Sequence, residues 1–139
     1  MAMPLPLPTF TTDDLRNFPE DGQRYELLEG MLLVTPAPGS AHQGVLSRLH
    51  FALSAYLAPL DLAWVASPGE IEIAPKTLLE PDLLVVPGTY PPGTPWRAMR
   101  GWWLAAEVFS RSSKIYDRDF KPRCLSLARR RGGVAGGSR

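Results

Sequence analysis

Two carboxylates stand inside stretches that otherwise read as core. Glu80-Pro81-Asp82-Leu83-Leu84-Val85-Val86 and Leu104-Ala105-Ala106-Glu107-Val108-Phe109-Ser110 are short apolar runs of strand character, each with an acid, and a lysine-bearing stretch from Lys114 to Lys121 follows. A carboxylate is costly to bury unless it is paired, hydrogen-bonded or bound to a metal. Period two along the first run puts Glu80, Asp82 and Leu84 on one face, and along the second Ala105, Glu107 and Phe109. Adjacent strands bring Asp82 and Glu107 together, and two such acids raise each other's pKa unless a cation intervenes. Mg²⁺ takes hard oxygen ligands and keeps several waters, so two carboxylates suffice to hold it. Such an ion activates water and stabilises a phosphate under attack, and a nearby lysine steadies the developing charge.

Each of these residues also has a purely structural reading. Asp82 can close a turn after Pro81, and Glu107 can pair with an arginine. Glu26 is either a third acid near the site or an exposed strand residue. His42 can position a nucleophile or be a satisfied histidine at a helix start. Trp102 and Trp103 can stack on bases or pack in the core, and Lys114 can simply be solvated.

The elements that must carry the acids follow from local patterning. Thr11 reads as an N-cap, with Asp13 and Asp14 in a first turn that favours negative charge and Phe10 and Leu15 at staple positions. This short helix stops near Phe18-Pro19. Arg24 to Val34 predicts a hairpin turning at Glu29-Gly30. Ser40 with Gln43 predicts a capping box for a helix reaching about Leu57, with His42, Leu46, Leu49, Leu53 and Tyr56 as its buried stripe. Leu62–Val65 and Glu70–Ile73 predict strands around Ser67-Pro68-Gly69, the second with one wet and one dry face. Residues 80–86 form the next strand, and residues 87–95, with four prolines and two glycines, a loop. Leu104–Ser110 is apolar enough to predict a central strand, and Ser112 or Ser113 caps a helix beyond it.

The chain of 139 residues, 45% hydrophobic and 21% charged, suits one domain with a real core. No run approaches the length of a membrane span. The Pro/Leu lead over residues 1–9 lacks a basic n-region and is expected to be flexible rather than a signal peptide. The single cysteine, Cys124, excludes a disulfide framework and cysteine-based zinc sites. A cytoplasmic protein is the simplest reading. The net charge of +1 conceals an asymmetry: residues 1–121 hold 10 basic and 14 acidic residues, and the remainder adds five arginines and no acid. The body therefore has no global nucleic-acid footprint, and such contact needs a local patch.

Several pieces, weak singly and in the right order over residues 10–121, carry a resemblance. They are Thr12-Asp13-Asp14-Leu15, Glu20-Asp21-Gly22, Arg24 to Gly30, Ala41-His42-Gln43, Glu80 to Val85, Glu107-Val108-Phe109-Ser110 and Tyr116 to Lys121. Together they resemble the Uma-two-type restriction endonuclease family, a branch of the PD-(D/E)XK nuclease superfamily. The resemblance implies an α/β fold, a restriction-endonuclease-like core with a central mixed sheet flanked by helices over residues 10–121. It implies metal ligation by Asp82 and Glu107, with Glu26 as a further acid. The superfamily lysine normally stands two residues after the second acid, where this chain has Phe109; Lys121 resembles a migrated substitute on the following helix. The implied activity is Mg²⁺- or Mn²⁺-dependent hydrolysis of DNA, with a homodimer as the common assembly. The alternative is a non-catalytic relic or interaction module of the same fold.

The resemblance stops after Lys121. Relatives continue with a tyrosine, a Gly-Val turn and a strand bearing Glu and Trp, whereas residues 122–139 are Arg-, Gly- and Ser-rich and read as a disordered basic tail. A one-nucleotide frame shift near Cys124 is compatible with a family-like continuation, which the coding DNA tests. Loss of that strand is expected to uncover a sheet face, lowering stability or promoting self-association.

Overall fold

The structure, a computed structural model, describes residues 9–109. Helix α1 (Thr12–Arg16) starts as its sequence dictates: the Thr11 hydroxyl accepts from the Asp14 N–H, and the Asp14 carboxylate accepts from the Thr11 N–H. Strands β1 (Arg24–Leu28) and β2 (Met31–Thr35) form the expected hairpin. Glu29 and Gly30 both adopt positive φ, 51° and 85°, the geometry of a two-residue turn matched to strand twist.

Helix α2 (Ser40–Leu57) has the predicted span but not the predicted cap. Gly39 is the N-cap, with no side-chain hydrogen bond, and Ser40 is already helical. Its inward stripe ends at buried Leu57, whereas Tyr56 is 71% exposed. A 3.6-residue period carries the stripe from Leu53 to position 57.

The remaining strands are β3 (Ala63–Ala66), β4 (Ile71–Ile73), β5 (Thr77–Leu79), β6 (Leu83–Pro87) and β7 (Leu104–Ala106). They divide between two antiparallel sheets, ordered β2-β1-β5-β4 and β3-β6-β7. The expected single mixed sheet is thus two sheets with antiparallel ladders among the described residues. Strands β3 and β4 do not pair with each other: β3 joins β6, and β4 joins β5. The three residues of β5 carry no period-two signal long enough to read in advance.

Strand β6 is central to its sheet, and β7 is an edge strand among the described residues. The alternation along β6 explains its unbroken apolar character. Leu83 and Val85 pack with Leu57 beneath α2, while Leu84 and Val86 pack with Ile71, Leu79 and Met99 in a second core. Both faces of β6 are therefore dry, so the residue just before it begins where two cores meet. That residue is Asp82.

The wet face expected of β4 is also absent. Glu72 is 3% exposed, held by two bonds of 2.8 Å from Arg16 and one of 3.2 Å from Arg97. Trp102 packs against the second core, while Trp103 is exposed. Ser112, Ser113, Lys114, Lys121 and the tail lie outside the described residues. Among the described residues, no helix is long and apolar enough to cross a membrane.

Candidate functional site

Asp82 is 1% exposed, yet its carboxylate is an acceptor for three different elements. Its Oδ1 accepts from the Arg24 guanidinium on β1 at 2.7 Å. Its Oδ2 lies 3.1 Å from Nε2 of His42 on α2 and accepts from the Val108 N–H at 2.8 Å. Burial alone would push this carboxyl up, but the Val108 N–H, the Arg24 charge and hydrogen bond, and His42 together hold it below the ordinary value.

Glu107 arrives beside Asp82 by strand register. In the β6–β7 ladder Leu83 faces Ala106 and Leu84 faces Ala105. The same count places Glu107 opposite Asp82, one step beyond the last paired residues. Val108 confirms the approach through its bond to Asp82. Both Glu107 carboxylate oxygens are shielded from solvent.

Glu26 belongs to the same neighbourhood. It is 1% exposed, and its Oε1 accepts from the Glu80 N–H at 2.7 Å, which anchors the approach to Asp82. The exposed-strand reading of Glu26 is thereby corrected. The structure brings Asp82 and Glu107 to facing positions and ties Glu26 to the backbone that leads into Asp82, whereas Lys121 lies outside the described residues.

The reading of His42 as a satisfied helix-start histidine holds for one ring nitrogen and not the other. Its side chain is 9% exposed, Nε2 faces Asp82, and the buried Nδ1 has no hydrogen-bond partner among the described residues. Such a bond orients the ring and fixes Asp82 in turn.

Arg24 is the residue that sequence reasoning passed over. Its side chain is 18% exposed, bonded to Asp82, and its Nε stands 3.9 Å from Glu80. Its guanidinium is held charged: desolvation opposes the charge, and Asp82, Glu26 and Glu80 outweigh it. The signal was available, since period two places Arg24 and Glu26 on one face of β1.

A cleft of about 220 Å³ opens over Arg24, Glu80 and Asp82. Gly22, Arg24, Gln43, Ser67, Glu80 and Asp82 line part of it. Among the described residues no three acidic, His or Cys side chains form a ready-made metal cage. The donor set nonetheless suits a hard divalent ion, because two carboxylates from adjacent strands share one end of the sheet. The Asp82 oxygen Oδ1 also already bears a positive group, the Arg24 guanidinium.

The family model described as “Putative restriction endonuclease”, Uma2, matches residues 12–124. No curated protein matches the chain at a significant level. The match spans every described element and includes all four predicted site residues, Glu26, Asp82, Glu107 and Lys121. Two antiparallel sheets and one main helix are consistent with a restriction-endonuclease-like fold. The chain belongs to the Uma2 restriction endonuclease family, within the PD-(D/E)XK nuclease superfamily.

Proposed function

We propose that the protein is a divalent-metal-dependent endonuclease acting on DNA phosphodiester bonds. The observation that carries the reading is the convergence of Asp82 and Glu107 at one end of the β6–β7 ladder, with Asp82 in the wall of an open cleft. In this reading Asp82 and Glu107 hold Mg²⁺ or Mn²⁺, and such an ion supplies a lowered water pKa and charge stabilisation at phosphate. His42 and the Val108 N–H fix the orientation of Asp82. Glu26 fixes the Glu80 backbone that leads into it. Lys121 is assigned the charge-stabilising role by family position.

The test is cleavage of supercoiled plasmid DNA by the full chain in Mn²⁺ or Mg²⁺. Nicked or linear product is expected from the native protein and none from folded Asp82→Asn or Glu107→Gln. Equal cleavage by native protein and both variants removes the assignment. A folded native protein that neither cleaves DNA nor gains thermal stability in millimolar Mn²⁺ favours the second reading, a non-catalytic module of the same fold.

A further inference from the structure

We propose that Arg24 is the phosphate-binding residue of this site, parked on Asp82 in the absence of metal and released to the DNA phosphate when a divalent ion takes its place. The inference rests on the nuclease reading and assigns a role to a residue outside the acid-and-lysine set.

Charge balance is the first argument. Glu80 and Asp82 both line the cleft, and the Arg24 guanidinium stands between them, 2.7 Å from Asp82 Oδ1 and 3.9 Å from Glu80. Without an added cation, Arg24 supplies the charge that, with the Val108 N–H and His42, makes Asp82 tolerable in a dry setting. A divalent ion at the acids supplies the same compensation more strongly, which removes the reason for Arg24 to stay.

The second argument is the hydrogen-bond inventory. A guanidinium carries five N–H donors in a planar fork. Among the described residues Arg24 spends one in a hydrogen bond, to Asp82 Oδ1; its approach to Glu80 at 3.9 Å is too long to be another. The side chain is mostly buried, yet it lines the cleft. A charged fork with unspent donors at a cleft wall is matched by an oxyanion with several acceptors, and phosphate is the geometry it fits best.

The third argument is the wall itself. A phosphodiester entering the cleft meets Glu80 and Asp82, which repel it, and Arg24 is the cationic side chain in the described lining. Phosphate binding therefore requires both that the acids be neutralised and that Arg24 turn outward. The exchange of partners couples the two events.

Two binding measurements on the full chain test this. The first is a calorimetric Mn²⁺ titration of native protein, Arg24→Met, Arg24→Lys and Asp82→Asn. Removing the competing guanidinium should tighten Mn²⁺ binding in Arg24→Met by about tenfold, with Arg24→Lys between it and native protein. The second is fluorescence anisotropy of a short labelled DNA duplex, with Ca²⁺ replacing Mn²⁺. Here Arg24→Met should weaken binding by about tenfold, and Arg24→Lys by less. Opposite signs in the two assays are the signature, because mere structural damage weakens both. Arg24→Lys preserves the charge and keeps the test open if Arg24→Met fails to fold: it should still tighten Mn²⁺ binding and weaken DNA binding. Mn²⁺ binding lost in Asp82→Asn but unchanged in both Arg24 variants overturns the Arg24 proposal and leaves the nuclease reading standing. Absence of Mn²⁺ binding in native protein and all variants overturns both.

Discussion

The Arg24–Asp82 pair makes a quantitative claim about stability that does not depend on any activity. Asp82→Ala removes the acceptor for the Arg24 guanidinium, the His42 ring and the Val108 N–H at once. Breaking a buried ion pair from one side costs about 3–5 kcal/mol. Arg24 keeps Glu80 at 3.9 Å and retains some solvent, so the lower end applies, about 3 kcal/mol. For a domain of this size that corresponds to a fall in Tm of roughly 10 °C. Arg24→Met alone strands the Asp82 charge and should cost a similar amount. The double variant Asp82→Ala/Arg24→Met removes both charges together, so it should lose about 2 kcal/mol less than the sum of the single effects. Urea and thermal denaturation of the singles and the double measure this. Strictly additive losses, or a single loss below about 1 kcal/mol, would refute the reasoning that the pair is a buried, mutually dependent unit.

The pH dependence has a definite sign. The Asp82 pKa is depressed in the folded state, so its contribution is complete above the unfolded-state value of about 4 and is lost as pH falls through the lower folded value. Denaturation midpoints should therefore drop below about pH 4 in native protein and drop less steeply in Asp82→Asn. Glu70 has the opposite shift, raised by burial and then by Glu72, so its ionised form opposes folding. Glu70→Gln should raise Tm at pH 8, by no more than about 1 kcal/mol equivalent, with the gain vanishing towards pH 4. Gly69→Ala should cost more than about 2 kcal/mol in urea, because the added Cβ would overlap Leu84 Cβ and lie 2.9 Å from Leu84 Cδ2, two residues from Asp82. His42→Ala should reduce metal-dependent cleavage, and His42→Gln, which can restore an N–H near Nε2, should recover part of it; equal loss in both contradicts the orienting role of His42.

What could be read in the residues was local. The Glu29-Gly30 turn, the Thr11/Asp14 cap and the extent of α2 depend on neighbours within a few positions, and all three stand in the structure. Asp82 and Glu107 were conspicuous for a different reason: acids in apolar strands need an explanation wherever they occur. What stayed hidden depends on distant partners. Arg24 and Asp82 are 58 positions apart, and Glu72 meets Arg16 across 56. The period of β1 sets Arg24 on the Glu26 face but does not name Asp82 as its partner, and the period of β4 does not reveal that Arg16 neutralises Glu72. The split into two sheets was equally illegible, because Ser67-Pro68-Gly69 looks like a hairpin turn while the strands it joins pair elsewhere. Leu104 to Ser110 looked central because it is apolar. Among the described residues Leu104–Ala106 alone join the ladder, and Leu104 is exposed.

The most direct measurement is the anomalous diffraction of a crystal of the full chain soaked in Mn²⁺. The account predicts a peak bridging the Asp82 and Glu107 carboxylates, with the Arg24 guanidinium swung away from Asp82 Oδ1. A saturating soak that leaves Arg24 on Asp82 and puts no metal between the two acids would contradict it.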